Sequence, residues 1–423
     1  MFMLKSIKMC FALVLIHICS PGFSQGLPNV VVHGFVSQGY LKSTENSFLA
    51  NSKDGSFEFN ETAINFMTQI NSKLRIGLQL FSRDMGRESN NSVILDWAYG
   101  DYHWQDYLGI RFGKIKMPLG YYNLVRDVDL YRNSILLPQG VYDETQRDFS
   151  LAMQGGSLYG YVPLVKNSTI EYEVCIGTLT IPDAYTTYWN WSLDFFTKEL
   201  SKLANSSCLL GERNVVGKTI WGAALNWETP VKGFKMGASN IQGELLLKSD
   251  LNLIIPATNS SRVLPGDVSI SAKIDKYDVF STEYSIGNFV FTAEYLELIF
   301  KTNTSVMLPD LFPNPITIPI TFNATGYYGQ ITFKASDKWT LNTYYSEFYP
   351  DKNDKEGNQL ESDRLKYTAW QKDLCFTLRL DPISNWVFKL EGHYIDGAAQ
   401  AYRFDQPAKR YWNLFALKTS YNF

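Results

Sequence analysis

The feature that most restricts the fold of this 423-residue chain is a two-residue alternation of apolar and polar side chains, repeated along most of its length. In the segment STIEYEVCIGT, every second residue from Ile170 to Ile176 is apolar, and Glu171 and Glu173 stand between them. The segments KLRIGLQLFSR and NWVFKLEGHY repeat this pattern. Such alternation predicts β-strands with one apolar and one charged face.

About sixteen segments of roughly ten to fifteen residues show strand character, longer than the usual five or six residues of a soluble sheet. Two architectures have strands with one apolar face: a soluble sandwich, or a membrane barrel whose apolar face contacts lipid and whose polar face lines a lumen. The predicted strands begin near Val30, Glu58, Lys73, Ser92, Tyr107, Asp148, Ser168, Val215, Gly233, Val268, Ile286, Asn323, Asp337, Leu365, Asn385 and Arg410.

The lengths of the connections decide between these architectures. Short turns alternate with long polar loops, as in bacterial outer-membrane barrels with periplasmic turns and extracellular loops. The predicted long loops are Lys42 to Ser56, Pro118 to Arg147, Leu179 to Asn214, Asp250 to Asp267, Lys301 to Phe322, Pro350 to Asp363 and Gly397 to Lys409. The chain is therefore expected to form an all-β, antiparallel transmembrane barrel.

The two ends of the predicted barrel must meet, because a sheet in lipid cannot leave backbone groups unpaired at an edge. The strand near Val30 is thus expected to pair with the last strand, RYWNLFALKTSYNF, which ends at Phe423. Aromatic residues near strand ends suit the interfacial girdles of such barrels. Candidates are Trp104, Trp227, Trp339 and Trp386.

The amino terminus has the pattern of a secretory signal peptide. Lys5 and Lys8 precede the apolar run MCFALVLIHI, and Pro21-Gly22 follows it. We expect cleavage after Ser24, so that residues 1–24 form the signal and residues 25–423 the barrel domain. Removal of both lysines changes the net charge from −3 to −5, which argues against nucleic-acid binding. The cysteines left after cleavage are scattered and odd in number, so neither a disulfide framework nor a CxxC metal site is indicated.

The segment from Pro118 to Arg147 is the candidate pore constriction. A lumen of about sixteen strands is wide enough for water, so discrimination between solutes requires something inside it. The segment is long and combines apolar residues such as Leu136 and Leu137 with many charged residues. We expect it to fold into the lumen, although an extracellular cap is the alternative.

Strand alternation also predicts which charges face this loop. Arg75, Arg83 and Arg111 share the lumen-facing phase, and a β-bulge at Gly113 would return Lys114 and Lys116 to the lumen, leaving Ile115 and Met117 outside. The expected basic wall consists of Arg75, Arg83, Arg111, Lys114 and Lys116. The loop adds Arg126 and Arg132, and its carboxylates Asp127, Asp129, Asp143 and Glu144 would stand opposite the wall. Opposed charges of this kind would set up a field across the pore.

The stretch FGKIKMPLG, followed by RDVD and LLPQGVYDE, resembles the porins of Gram-negative bacteria, and loosely their phosphate-selective and dicarboxylate-type branch. The resemblance implies a homotrimer of sixteen-stranded barrels in the outer membrane, each with its third long loop folded into the pore. It implies no cofactor and no metal. The terminal Phe423 is similar to the signal by which the barrel-assembly machinery recognises such proteins.

The function that follows is passive diffusion of small hydrophilic solutes and ions, with small anions weakly favoured. The expected surroundings are outer-membrane lipid and lipopolysaccharide. An outer-membrane barrel enzyme is one alternative, but His33, His103 and His393 stand in no recognisable catalytic spacing. A binding protein or adhesin that uses its loops is the other.

Overall fold

The computed structural model describes residues 29–86, 89–164, 167–179, 197, 201–202, 206–256, 261–360, 365–401 and 407–423. The expected signal peptide, residues 1–24, lies outside the described residues. None of the helices in the described ranges is both long and apolar enough to cross a membrane.

Sixteen antiparallel strands form one closed barrel, in which each strand pairs with its neighbours in sequence and β1 pairs with β16. This confirms the predicted fold class. The strands are β1 Val30–Ser43, β2 Asn60–Gln69, β3 Leu74–Asp84, β4 Ile94–Gln105, β5 Leu108–Lys116, β6 Ala152–Pro163, β7 Thr169–Thr178, β8 Ser207–Glu228, β9 Phe234–Ile255, β10 Arg262–Ile286, β11 Phe289–Met307, β12 Ile316–Lys334, β13 Trp339–Tyr349, β14 Gln371–Ile383, β15 Trp386–Gly397 and β16 Tyr411–Asn422.

Closure occurs where the sequence predicts it. The backbone N–H of Phe423 donates to the carbonyl of Gly34 at 2.9 Å, and the N–H of Gly34 donates back to Phe423 at 2.9 Å. The first and last strands thereby leave no open edge along this pairing, as a sheet in lipid requires.

The outer face of the barrel is apolar. Phe112, Ile176 and Phe376 are between 60% and 69% exposed, and each belongs to a strand whose alternate side chains are shielded inside the barrel. The predicted girdle residues Trp104, Trp227, Trp339 and Trp386 all lie beside short turns and are 37–46% exposed. An apolar outer belt with aromatic residues at its rim is the surface of a transmembrane β-barrel.

Several strands extend further than the sequence predicts. β8 and β9 have 22 residues each, β10 has 25, and β11 and β12 have 19 each. The predicted loops Asp250 to Asp267 and Lys301 to Phe322 are therefore mostly strand, which corrects their boundaries. The reason is that their polar residues alternate with Leu, Val and Ile, so that adjacent strands continue to pair beyond the length needed to cross a bilayer.

The predicted bulge at Gly113 is wrong. Gly113 pairs with Tyr99 on β4 and with Gly155 on β6 without a register shift at this point. Its φ of 137° is unfavourable for other residues, and a Cβ here would lie 2.1 Å from the carbonyl oxygen of Ala98. Because glycine tolerates this positive φ, the backbone pairing with both neighbouring strands continues through residue 113. Ile115 consequently packs inside rather than outside, at 1% exposure.

The main core lies between the barrel wall and the connection from β5 to β6, residues 117–151, which we call the long loop. Leu119, Leu137 and Tyr142 of this loop pack with Ile115 and Met153 of the adjoining strands. Met117 is also buried there, which contradicts its predicted place outside the barrel. Short helical turns occur at Asp129–Tyr131, Glu144–Gln146 and Arg147–Ser150 in the long loop, and at Ser52–Asp54 and Lys366–Ala369 elsewhere.

Candidate functional site

The long loop crosses the lumen and bonds to the wall far from its own strands. The N–H of Gly120 donates to Ser239 on β9 at 3.0 Å, and Asn133 donates to Thr332 on β12 at 3.2 Å. The N–H of Gly140 donates to Ser346 on β13 at 3.1 Å. The inward placement that the sequence predicts is therefore what the structure has, and the loop narrows the lumen.

Two wall carboxylates hold the loop backbone. Glu391 on β15 accepts from the N–H groups of Ile135 at 2.6 Å and Leu136 at 2.9 Å. Glu294 on β11 accepts from the N–H of Tyr121 at 2.9 Å and from the hydroxyl of Tyr142 at 2.6 Å. Hydrogen bonds to a charged acceptor are among the stronger ones in proteins, so these two residues act as fixed tethers.

A first group of charges lies where the loop meets β3, β4 and β5, and we call it the Arg147 cluster. Arg147 contacts Asp96 at 3.0 Å and Asp127 at 2.9 Å. Lys116, at the end of β5, reaches the other oxygen of Asp127 at 2.9 Å. The cluster comprises Arg83, Asp96, Lys116, Arg126, Asp127, Glu144, Arg147 and Asp148.

Glu144 connects the basic wall to the loop within this cluster. It contacts Arg83 of β3 at 3.4 Å and Arg126 of the loop at 3.0 Å. Burial alone would raise the pKa of Glu144, but the charges of Arg126 and Arg83 outweigh it and lower the pKa to about 2. Burial also opposes ionisation of Asp127, whose pKa is nevertheless held well below its usual range by Arg147 and Lys116.

A second group, the Asp129 cluster, joins the loop to the strands around the barrel closure. Asp129 contacts Arg132 at 2.9 Å, Lys418 of β16 at 2.9 Å and Lys389 of β15 at 3.3 Å. Glu61 of β2 contacts Arg132 at 3.2 Å and also pairs with Lys418. Burial would raise the pKa of Asp129, but these three cations hold it well below its usual value.

Some predicted residues lie outside both clusters. Arg75 pairs with Asp101 at 2.6 Å, and Arg111 pairs with Glu173 at 3.1 Å, so these are contacts within the wall. Lys114 donates to the backbone carbonyl of Leu95.

Asp143 contributes locally rather than across the pore. Its side chain accepts from the N–H of Thr145 at 2.9 Å and so caps the turn Glu144–Gln146.

The charges therefore differ from the predicted basic wall facing an acidic loop. Within the described residues, the Arg147 cluster holds four cations and four carboxylates, and the Asp129 cluster three cations and two carboxylates. Cations and anions alternate in space, which cancels most of a transverse field and leaves one positive charge in excess.

Sequence reasoning missed the wall side of the Asp129 cluster. Alternation places Lys389 on the polar face of its strand, but nothing in the sequence indicates that it meets the loop. Lys418 likewise lies on the polar face of the last strand, with no local sign of this contact. Glu61 carries no distinguishing sequence signal.

Comparison with known proteins supports the fold. The sequence matches no known family pattern, and no curated protein of related sequence is found. The structure of Salmonella typhi OmpF in complex with daunomycin superposes with a TM-score of 0.54 at 12% identity, covering 94% of this chain and 98% of that one.

Two further solved structures align at a TM-score of 0.48. The outer membrane channel DcaP of Acinetobacter baumannii is 11% identical, covering 95% of this chain and 99% of that one. An anion-selective porin from Comamonas acidovorans is 8% identical, covering 94% and 100%. The closed sixteen-stranded barrel and its likeness to OmpF show that the chain has the fold of Gram-negative outer-membrane porins.

Proposed function

We propose that the protein is an outer-membrane channel for passive diffusion of small hydrophilic solutes and ions, and that it has no enzymatic activity. The observation that carries the proposal is the long loop fixed across the lumen by buried ion pairs to β2, β3, β4, β15 and β16. A barrel that only anchors a surface domain has no need of a rigid, charged constriction. Selective diffusion does need one.

Small anions are weakly favoured in this proposal. The two clusters retain one positive charge in excess, and a charge of one sign in a narrow pore concentrates counter-ions. The preference is small because most charges are already paired. The pore constriction consists of the loop residues and their partners on the wall, with Arg75 and Arg111 lining the adjoining lumen.

The exported chain loses residues 1–24 and assembles in a membrane of lipid and lipopolysaccharide. Phe423, a residue that is 53% exposed, serves as the recognition residue for the barrel-assembly machinery. We propose a homotrimer, in which part of the apolar outer wall contacts neighbouring subunits. Chemical crosslinking of protein extracted in mild detergent tests this state.

A hydrolase is less well supported. His393 would be the general base, but it is 4% exposed, and Asp373 and Glu391 hold its two ring nitrogens at 3.0 Å. A substrate would have no access to it in this arrangement.

Single-channel recording in planar bilayers tests the proposal. Purified protein should give steady, voltage-independent steps of conductance. In a salt gradient, the reversal potential should be displaced slightly from zero toward the equilibrium potential of the anion. A folded barrel that inserts without conductance, or that hydrolyses ester or peptide substrates, would overturn it. A strong preference for cations would contradict the proposed anion preference but not the proposed channel function.

A further inference from the structure

Three side chains converge on the inner wall, and among them only Glu391 has a part in holding the long loop. Cys375 on β14 and His393 on β15 are directly opposite each other in the ladder. Glu391 precedes His393 by two residues and so shares its face of the strand. One thiol sulfur, one ring nitrogen and one carboxylate oxygen lie within 4.8 Å of one another.

The imidazole is held in a fixed orientation. Both carboxylate oxygens of Asp373 lie 3.0 Å from Nδ1 of His393, and Oε1 of Glu391 lies 3.0 Å from Nε2. Tyr344 donates to Asp373 at 3.3 Å. A carboxylate on the far nitrogen of a histidine is the usual way in which proteins orient that ring toward a metal.

We propose that Sγ of Cys375, Nε2 of His393 and Oε1 of Glu391 bind a thiophilic divalent cation of the Zn²⁺ class. Sulfur, imidazole and carboxylate together suit zinc, whereas magnesium and calcium prefer oxygen ligands alone. The fourth position of a tetrahedral ion would hold water.

The sulfur–nitrogen and nitrogen–oxygen separations are close to those that zinc needs, and the sulfur lies within 4.8 Å of a carboxylate oxygen of Glu391. A tetrahedral ion with bonds of about 2.3 Å to sulfur and about 2.0 Å to nitrogen separates these two ligands by about 3.6 Å. The sulfur of Cys375 lies 4.0 Å from Nε2 of His393, so a shift of about 0.4 Å is sufficient. The nitrogen and oxygen ligands, now 3.0 Å apart, must separate by a similar amount to about 3.4 Å.

Charge also balances in this site. The cation takes the place of the thiol proton of Cys375 and of the proton that lies between His393 and Glu391. Two protons leave and one divalent ion enters, so the net charge of the buried group is unchanged. This matters because an uncompensated charge is costly at such a buried position.

The same residues do not form a useful nucleophile. Cys375, His393 and Asp373 resemble a cysteine–histidine–acid arrangement, but the sulfur of Cys375 belongs to a residue with 0% exposure. Acyl transfer needs room for a carbonyl group beside the sulfur, and a metal ion needs far less.

A bound ion would also stiffen the constriction, because Glu391 keeps its bonds to the long loop. Its Oε2 accepts from Ile135 and from Thr377, and neither bond involves the proposed ligand oxygen. Oε1 can retain the N–H of Leu136 while it binds the ion, since a carboxylate oxygen has two lone pairs.

Cobalt provides the direct test, because Co²⁺ replaces Zn²⁺ and reports thiolate ligation by a near-ultraviolet charge-transfer band. The exported chain, residues 25–423, freed of metal by chelator and folded in detergent, should bind one Co²⁺ per chain and release it to Zn²⁺. Cys375→Ser should abolish the band and weaken binding at least tenfold. Asp373→Asn should weaken it about 10- to 100-fold while the band remains.

The other two free cysteines among the described residues provide controls. Cys208→Ser on β8 and Cys175→Ser on β7 should bind Co²⁺ as the wild type does. If a variant fails to fold, X-ray absorption spectroscopy of the zinc-loaded wild type still tests the proposal. We expect one sulfur atom among the ligands of the zinc ion. Three results would overturn the proposal: zinc bound by nitrogen and oxygen only, a cobalt charge-transfer band that survives in Cys375→Ser, or no binding of Co²⁺ to the wild type.

Discussion

Gly326 on β12 lies against the backbone of Gly140 in the long loop, so closely that a Cβ on Gly326 would be 1.8 Å from the carbonyl oxygen of Gly140. A Cβ on Gly140 would in turn lie 2.5 Å from the carbonyl oxygen of Glu347 on β13. Only residues without a side chain permit this approach of loop to wall. The contact therefore fixes how far the loop extends across the lumen.

Replacement of Gly326 by alanine should push the loop off β12. The wall and the loop must separate by more than 1 Å to accommodate the new methyl group. We expect the free energy of unfolding in urea to fall by about 1–3 kcal/mol, as in other overpacked sites. Single-channel currents should become noisier, because Gly140 and its neighbours lose their position.

Gly329→Ala on the same strand is the matched control. Nothing lies within 4 Å of a Cβ at Gly329, so this variant should keep the stability and conductance of the wild type. Equal effects of the two substitutions would show that general loss of glycine in β12, and not the loop contact, is responsible.

Neutralising Asp129 should make the pore more anion-selective. Asp129→Asn leaves Arg132, Lys389 and Lys418 with Glu61 as their one remaining carboxylate in the Asp129 cluster. The reversal potential in a salt gradient should move toward the equilibrium potential of the anion. Because the buried cations lose a partner, stability should fall by about 3–5 kcal/mol.

The turn residue Asp106 is the control for this charge change. Its side chain is 92% exposed, so Asp106→Asn removes one charge without disturbing the lumen. An unchanged or cation-shifted reversal potential in Asp129→Asn would contradict a selective role for the cluster.

Acid should loosen the long loop. The folded-state pKa of Glu144 is about 2, below its usual 4.5, so its ion pairs stabilise the fold fully above the usual value. This stabilisation, about 3 kcal/mol, is lost as the pH falls from about 5 through about 2. Asp127 and Asp129, whose pKa values are also lowered, add to the same trend.

Urea unfolding between pH 7 and pH 3 measures this effect. Glu144→Gln should be less stable at pH 7 and should lose less stability on acidification than the wild type. The half-exposed Glu244, which pairs with Lys218, gives the control Glu244→Gln, which should follow the wild type. If the free energy of unfolding of the wild type rose on acidification, the stabilising role of the Glu144 ion pairs would be contradicted.

The fold was predictable because each strand carries its own evidence. The polar face of NWVFKLEGHY, for example, contains Lys389, Glu391 and His393, and all three are buried inside the barrel. Alternation reports orientation strand by strand and needs no knowledge of neighbours. It failed at Gly113, where positive φ and continuous pairing coexist, a backbone property that apolar and polar periodicity cannot express.

The site was only partly predictable, because it depends on contacts between distant segments. The loop charges and Arg83 could be named from the sequence, yet Asp129 and Lys418, which pair in the structure, are 289 positions apart in the 423-residue chain. Nothing local in the sequence determines which wall residue a folded loop reaches. For the same reason, the proximity of Cys375 and His393 could not be predicted, because they become neighbours only through the register of β14 and β15.

Glu294 is the residue whose conservative replacement should most clearly separate loop anchoring from selectivity. Its carboxylate accepts from Tyr121, Tyr142 and Tyr328, and glutamine can accept with one oxygen only. Glu294→Gln should therefore leave buried donors unpaired and cost about 1–3 kcal/mol in urea unfolding. Brief closures should appear in single-channel records, while the reversal potential should change less than in Asp129→Asn, because Glu294 belongs to neither charge cluster. A large change of selectivity with steady current would show that Glu294 acts on permeating ions directly and not through the loop.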